Sequence, residues 1–127
     1  MTDKEVAPEA LPLLGVLSVS KRTDLLRNAL ALNVASGTVL FEQGDMPNFQ
    51  LIILAGSAHL FGRSPEGHEV FIEAVRAPDL IIPAAVISGA PYLMQARVAE
   101  PSRFLSIHAT AFRAAVEADP SLAGVVI

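Results

Sequence analysis

Residues Gly37–Phe61, GTVLFEQGDMPNFQLIILAGSAHLF, set the reading of the fold. Thr38–Glu42 is a short apolar run closed by the turn Gln43-Gly44-Asp45. Phe49–Leu54 is nearly continuous in apolar character, the pattern of a strand buried on both faces. Gly56 interrupts, and Ser57–Arg63 follows as a third strand. Ser64-Pro65-Glu66-Gly67 carries Pro and Gly where a type I turn wants them, which predicts a hairpin to His68–Val75. Short strands divided by glycine turns imply a small barrel or roll.

Outward from this stretch the texture becomes helical. Lys21–Leu32 reads as an amphipathic helix with Leu25, Leu26, Ala29 and Leu30 on one stripe and Ser20 as its cap. Met1 to about Pro12 reads as a flexible tail. Toward the C-terminus, Leu93–Val98 and Arg103–His108 pair as a closing hairpin. Phe112, Ala115 and Val116 then repeat at helical spacing, and Asp119-Pro120 ends that helix and opens another. The expected organisation is a tail over 1–12, a roll with flanking helices over 13–118, and over 119–127 the start of a further helix cut short by the end of the chain.

The 127 residues, 52% of them hydrophobic, suffice for one domain with its own core. A net charge of −4 argues against this segment gripping nucleic acid, which relies on Lys and Arg against phosphate. The absence of cysteine excludes disulfides, thiolate-held iron–sulfur clusters and thiol nucleophiles. The first ten residues contain Asp3, Lys4 and Glu5 and no apolar signal region, so a cytoplasmic location is expected. Leu80–Ala96, LIIPAAVISGAPYLMQA, has no charged side chain, yet Pro83, Gly89 and Pro91 break it too often for a membrane span.

The ordered set of motifs carries a resemblance. Gly37–Asp45, then Leu51–Phe61 with its central Gly56, then Gly67, Ala77-Pro78-Asp79, Arg97-Val98-Ala99 and Leu105-Ser106-Ile107 resemble the cyclic-nucleotide-binding effector domain of Crp/Fnr-type bacterial transcription regulators. The resemblance implies a mainly β fold with flanking helices, a double-stranded β-roll of jelly-roll type. It also implies a cytoplasmic homodimer with no enzymatic activity, whose small-molecule occupancy reaches DNA only through a separate helix-turn-helix domain.

One departure decides the expected ligand. Family members that bind cyclic AMP hold the ribose with a Gly-Glu pair and the cyclic phosphate with an Arg-Ser or Arg-Thr pair. Counting back from Arg97, the phosphate pair falls on Tyr92 and Leu93, and the Gly-Glu pair within Ile82, Pro83 and Ala84. None of these carries charge, and a desolvated phosphate without a partner costs several kcal/mol. The implied effector is instead a small apolar or aromatic molecule, such as a hydroxybenzoate-like aromatic acid. Strand alternation sends Tyr92, Met94 and Ala96 inward toward Ala58, Leu60 and Ile72, beneath a lid of Ile82, Pro83, Ala84 and Val86. The effector set is therefore Leu60, Ile72, Ile82, Pro83, Ala84, Ser88, Tyr92, Leu93, Met94, Gln95 and Arg97, with Ser88, Tyr92, Gln95 and Arg97 as polar anchors.

Alternatives stand beside it. Haem or gas sensing would have to use His59, His68 or His108, each better read as solvent-facing or structural. A cupin-type metal enzyme needs clustered ligands that three dispersed histidines do not supply. A roll with a dry core needs the same inward Leu, Ile and Met simply to fold. No cofactor or metal is expected.

Overall fold

The computed structural model describes residues 7–126 of the chain. Two short 3-10 turns, Pro8–Ala10 and Pro12–Val16, precede α1 (Val19–Arg27). Seven strands follow: β1 (Ala29–Val34), β2 (Val39–Phe41), β3 (Phe49–Ala55), β4 (Ser57–Arg63), β5 (Glu69–Arg76), β6 (Gln95–Val98) and β7 (Ser102–His108). The helix α2 (Pro83–Ser88) lies between β5 and β6, while α3 (Ala109–Ala118) and α4 (Pro120–Val126) come last. One antiparallel sheet has the order β1-β7-β3 and the other β2-β6-β4-β5. This is the expected β-roll with flanking helices.

The first sheet is the middle layer. Ile52, Leu54, Leu105 and Ile107 face the helices, where Leu25, Val86, Phe112, Val116 and Leu122 complete a core. From the opposite face Ile53 and Phe104 meet Phe41, Ala58, Leu60, Ala96 and Val98 of the second sheet. Burial on both faces explains the apolar run Leu51–Ala55 in β3.

Three boundaries differ from the sequence reading. The predicted helix over Lys21–Leu32 starts earlier, capped by Ser18, whose Oγ accepts from the Lys21 amide at 3.3 Å, and it stops at Arg27. Asn28 ends it, and Ala29–Val34 pairs with β7 from Ala29↔Ile107 to Val34↔Ser102. Helical and alternating periods coincide over Leu26–Leu30, and a sheet partner more than seventy residues away tips the balance to strand. The tail is also shorter than expected. Met1–Val6 lies outside the described residues, but Pro8–Ala10 is a 3-10 turn and Leu11 is buried in the helix-side core.

The carboxyl-terminal helices agree with their punctuation. Asp119 Oδ1 accepts from the Ser121 amide at 3.0 Å, and Pro120 occupies the first position of α4. Among the described residues, no helix is long and apolar enough to cross a membrane.

Candidate functional site

The charge-free stretch is clipped to the roll at both ends. Ile53 donates to the Asp79 carbonyl at 3.0 Å and Ile81 to the Leu51 carbonyl at 2.9 Å, so Asp79–Ile81 runs beside β3. Gln50, fully buried, donates through Nε2 to the Ile81 carbonyl at 3.1 Å and fixes the point where α2 begins. Ile82 turns the chain at φ 42°, a left-handed conformation that opposes a β-branched side chain. Pro83 then starts α2 and Gly89, at φ 72°, ends it. Beyond α2, Gly44 donates to the Tyr92 carbonyl at 2.8 Å and Tyr92 to the Asp45 carbonyl at 2.9 Å. These two bonds carry Tyr92 into the roll beside the Gln43-Gly44-Asp45 turn.

Of the expected effector residues, four come together in the interior. Leu60 and Tyr92 are buried in the inter-sheet core, and Ile82 and Met94 pack against it. The others do not join them. Pro83 is half-buried, while Ala84 and Ser88 are exposed on α2, and the Ser88 hydroxyl donates to the Ala85 carbonyl at 3.2 Å. Val86, expected in the lid, lies in the helix-side core instead. Leu93 points outward at 80% exposure.

Ile72 is also outside the core, at 49% exposure. The β4–β5 register runs Leu60↔Glu73 and then Phe61↔Phe71, leaving Ile72 as the extra residue of a bulge. Ile72 sits toward the exposed end of β5, where only Val75 of the strand is buried, so it does not reach the inter-sheet core.

Gln95 and Arg97 lie on the outer face of the second sheet. Gln95 Nε2 donates to Glu42 Oε1 at 2.7 Å, and Arg97 donates to Gln95 Oε1 at 2.7 Å. Arg97 pairs with Glu69, and its guanidinium sits 4.3 Å over the Phe61 ring. It therefore holds no carboxylate inside the roll. His59 packs edge-on against Phe61 and Phe71 on that outer face, and His68 and His108 are exposed. Among the described residues, no group of His, Asp and Glu could hold a metal ion.

Tyr92 reaches an open space. Its ring lies flat on Phe41, with centroids 3.6 Å apart and planes 10° apart. Its hydroxyl donates to the Phe49 carbonyl at 3.4 Å. Burial, reinforced by the nearby Asp45 carboxylate, pushes the hydroxyl pKa up to about 12. The pair forms the back of a cleft of about 520 Å³ at the mouth of the roll, walled by Leu30 and Leu32 of β1, Phe49 and Leu51 of β3, and Met46. That volume falls within the range of small-molecule sites. Leu30, Met46 and Phe49 are about half exposed or more, so the cleft has an apolar rim open to water. The sequence reading missed this wall because it placed Leu30 and Leu32 at the end of a helix. Their alternation with Ala31 and Asn33 is the signal that reveals a strand.

The sequence matches the model of the cyclic nucleotide-binding domain over residues 31–119. The chain belongs to this family. No curated protein matches it in sequence. Among solved structures it is similar to the sensor domain of the transcriptional regulator DNR from Pseudomonas aeruginosa, with 22% identity, a TM-score of 0.78, and 90% of this chain and 77% of that one covered. It is also similar to the Thermus thermophilus catabolite activator protein, with 18% identity, a TM-score of 0.75 and coverage of 89% and 53%. The N-terminal domain of a transcriptional regulator from Streptomyces coelicolor A3(2) aligns at 20% identity and a TM-score of 0.72, covering 91% and 80%. At these identities the likeness establishes the fold. The chain spans about half the length of the larger relatives, 51% of a Ruegeria pomeroyi protein and 53% of the Thermus protein.

Proposed function

We propose that this cyclic nucleotide-binding-like domain is the ligand-sensing part of a cytoplasmic, homodimeric Crp/Fnr-type transcription regulator, without enzymatic activity. Its effector is a small apolar or aromatic organic molecule rather than a cyclic nucleotide. The observation that carries this reading is the Phe41–Tyr92 stack. The position that would supply an arginine to a cyclic phosphate supplies a buried phenol ring, and the next residue, Leu93, points to solvent. An anion placed there would lose its hydration and gain no cation, at a cost of several kcal/mol.

The cleft behind Tyr92 is the space such an effector would use. Burying one aromatic ring of about 100 Å² contributes roughly 2–3 kcal/mol, against about 8 kcal/mol for micromolar binding. A second ring or polar anchors must supply the remainder. Occupancy would reach a DNA-binding domain by favouring one of two arrangements of the flanking helices. A thermal-shift series with cyclic AMP, cyclic GMP, haem and neutral bicyclic aromatics tests this. The reading predicts stabilisation by an aromatic compound that disappears in Tyr92→Ala, provided the variant retains its fold by circular dichroism. Stabilisation by a cyclic nucleotide alone overturns it, and no response to any compound favours a closed, ligand-free core.

A further inference from the structure

The polar groups of the roll-mouth cleft are all uncharged or negative. Among the described residues, Asp45, Asn48, Ser106 and the Tyr92 hydroxyl are its only polar lining groups, and no Lys, Arg or His is among the lining side chains. Several described cations are engaged elsewhere. Lys21 pairs with Asp119, Arg27 with Asp24 and Arg97 with Glu69, while Arg113 donates to the Val86 carbonyl. His108 meets the Phe49 ring edge-on but does not line the cleft.

Two of these groups are prepared for a ligand. Ser106 sits in the central strand β7 between Leu30 and Leu51, at positions where a nonpolar residue would serve packing better. The residue is only 8% exposed, and it lines the cleft. Lining the open cleft, this hydroxyl is available to pair with a ligand group that enters it. Asp45 is held in place because its Oδ2 accepts from the Glu42 amide at 2.8 Å. Its other carboxylate oxygen has no such backbone bond, and its charge is felt at the Tyr92 hydroxyl.

We infer that the cleft selects aromatic ligands bearing a protonated amine or an uncharged hydroxyl, and discriminates against carboxylates, through Asp45 at the rim and Ser106 on the wall. The inference rests on the proposed effector reading and narrows its ligand class. It also replaces the aromatic acid expected from the sequence, whose only inward-capable cation, Arg97, faces the other way. An ammonium near Asp45 gains an ion pair at the edge of a low-dielectric cleft, whereas a carboxylate meets like charge and an apolar wall.

The test uses three probes of one shape, 2-naphthylmethylamine, 2-naphthalenemethanol and 2-naphthoate. They are titrated into the intact chain at low ionic strength and about pH 8, where an ordinary histidine is neutral. Binding is followed by backbone and methyl chemical shifts. The expected order is amine, then alcohol, then carboxylate, with about a tenfold or larger gap between the ends. Asp45→Asn keeps an acceptor for the Glu42 amide, so it should close most of the gap between amine and alcohol while leaving the alcohol unchanged. Ser106→Ala should weaken the alcohol severalfold. Naphthoate binding as tightly as the amine, or an amine preference that survives Asp45→Asn, overturns the inference while leaving the effector reading intact. Failure of all three probes to shift resonances around Leu30, Met46 and Leu51 overturns both.

Discussion

Arg113 Nε donates to the Val86 carbonyl at 2.7 Å, joining α3 to the last turn of α2. The end of a six-residue helix leaves carbonyls without intrahelical partners, and a charged donor satisfies one of them. The guanidinium also lies beside Gly89, where an added Cβ would come 3.9 Å from Arg113 Nη2. Because α2 is continuous with the segment leading to Tyr92, this bond ties that segment to a flanking helix. Arg113→Met should reduce stability by about 1–3 kcal/mol in urea denaturation. It should also weaken the transfer of ligand-induced shifts from Tyr92 to α3. Unchanged stability together with unchanged transfer would rule out the link.

Tyr92 gives a direct optical test of its own burial. It is the only tyrosine, and the chain has no tryptophan, so near-ultraviolet absorbance reports the ionisation of this one group. The folded-state pKa is raised to about 12 from an ordinary value of 10.0. The stability linked to the neutral phenol is therefore complete below about pH 10 and is lost as pH rises toward 12, a change on the order of 2 kcal/mol. An absorbance midpoint near 10 in the folded protein would contradict the burial. Tyr92→Phe keeps the stack on Phe41 and loses only a long hydrogen bond, at a cost of about 1 kcal/mol or less. Tyr92→Ala leaves a cavity and should cost about 3–5 kcal/mol.

Much of the roll is legible in the sequence because its signals are local. Gly44, Gly56 and Gly67 each sit at positive φ in a turn, and the strands between them alternate or run continuously apolar according to how many faces they bury. The inward positions of Leu60 and Ala96 follow from that alternation, whereas Tyr92 precedes β6 and is carried inward by its backbone bonds to Gly44 and Asp45. What escapes are features set by distant partners, and the expected hairpin of Leu93–Val98 with Arg103–His108 is among them, since β6 joins β2 and β4 while β7 joins β1 and β3. Ala29–Val34 becomes a strand only because β7 offers it an edge, and the bulge at Ile72 depends on the register of β5 against β4. The cleft combines both kinds of information. Its Tyr92 wall is readable, whereas its Leu30 and Leu32 wall is not.

Asp119 links pH to the packing of the flanking helices. Burial pushes its carboxyl pKa up, but the Lys21 ammonium at 3.3 Å and the amides of Ser121 and Leu122 outweigh that and hold it below the usual carboxylate value. A depressed folded-state pKa means the contribution is present above the ordinary carboxylate range and lost as pH falls through the folded value. Lys21→Met should therefore raise the Asp119 pKa, read by carboxyl-carbon NMR, and Asp119→Ala should remove the cap of α4. An Asp119 pKa indifferent to Lys21→Met would show that the ion pair does not persist in solution.

Gly56 is the position least able to accept a side chain. It joins β3 to β4 at φ 88°, and a Cβ there would lie 2.8 Å from the Ser102 Cβ and 3.0 Å from the Pro101 carbonyl. Ser102 cannot withdraw cheaply, because its Oγ accepts from the Ser57 amide at 3.1 Å and donates to the Glu100 carbonyl at 2.7 Å. Gly56→Ala thus combines left-handed strain with overpacking against a pinned neighbour, and should cost about 2–4 kcal/mol. Gly67 has a similar φ of 86° but nothing within 4 Å of its added Cβ. Gly67→Ala should therefore cost about 1–2 kcal/mol, the conformational strain alone. Denaturation midpoints of the two variants separate the terms, and equal losses would show that the contact with Ser102 relaxes without cost.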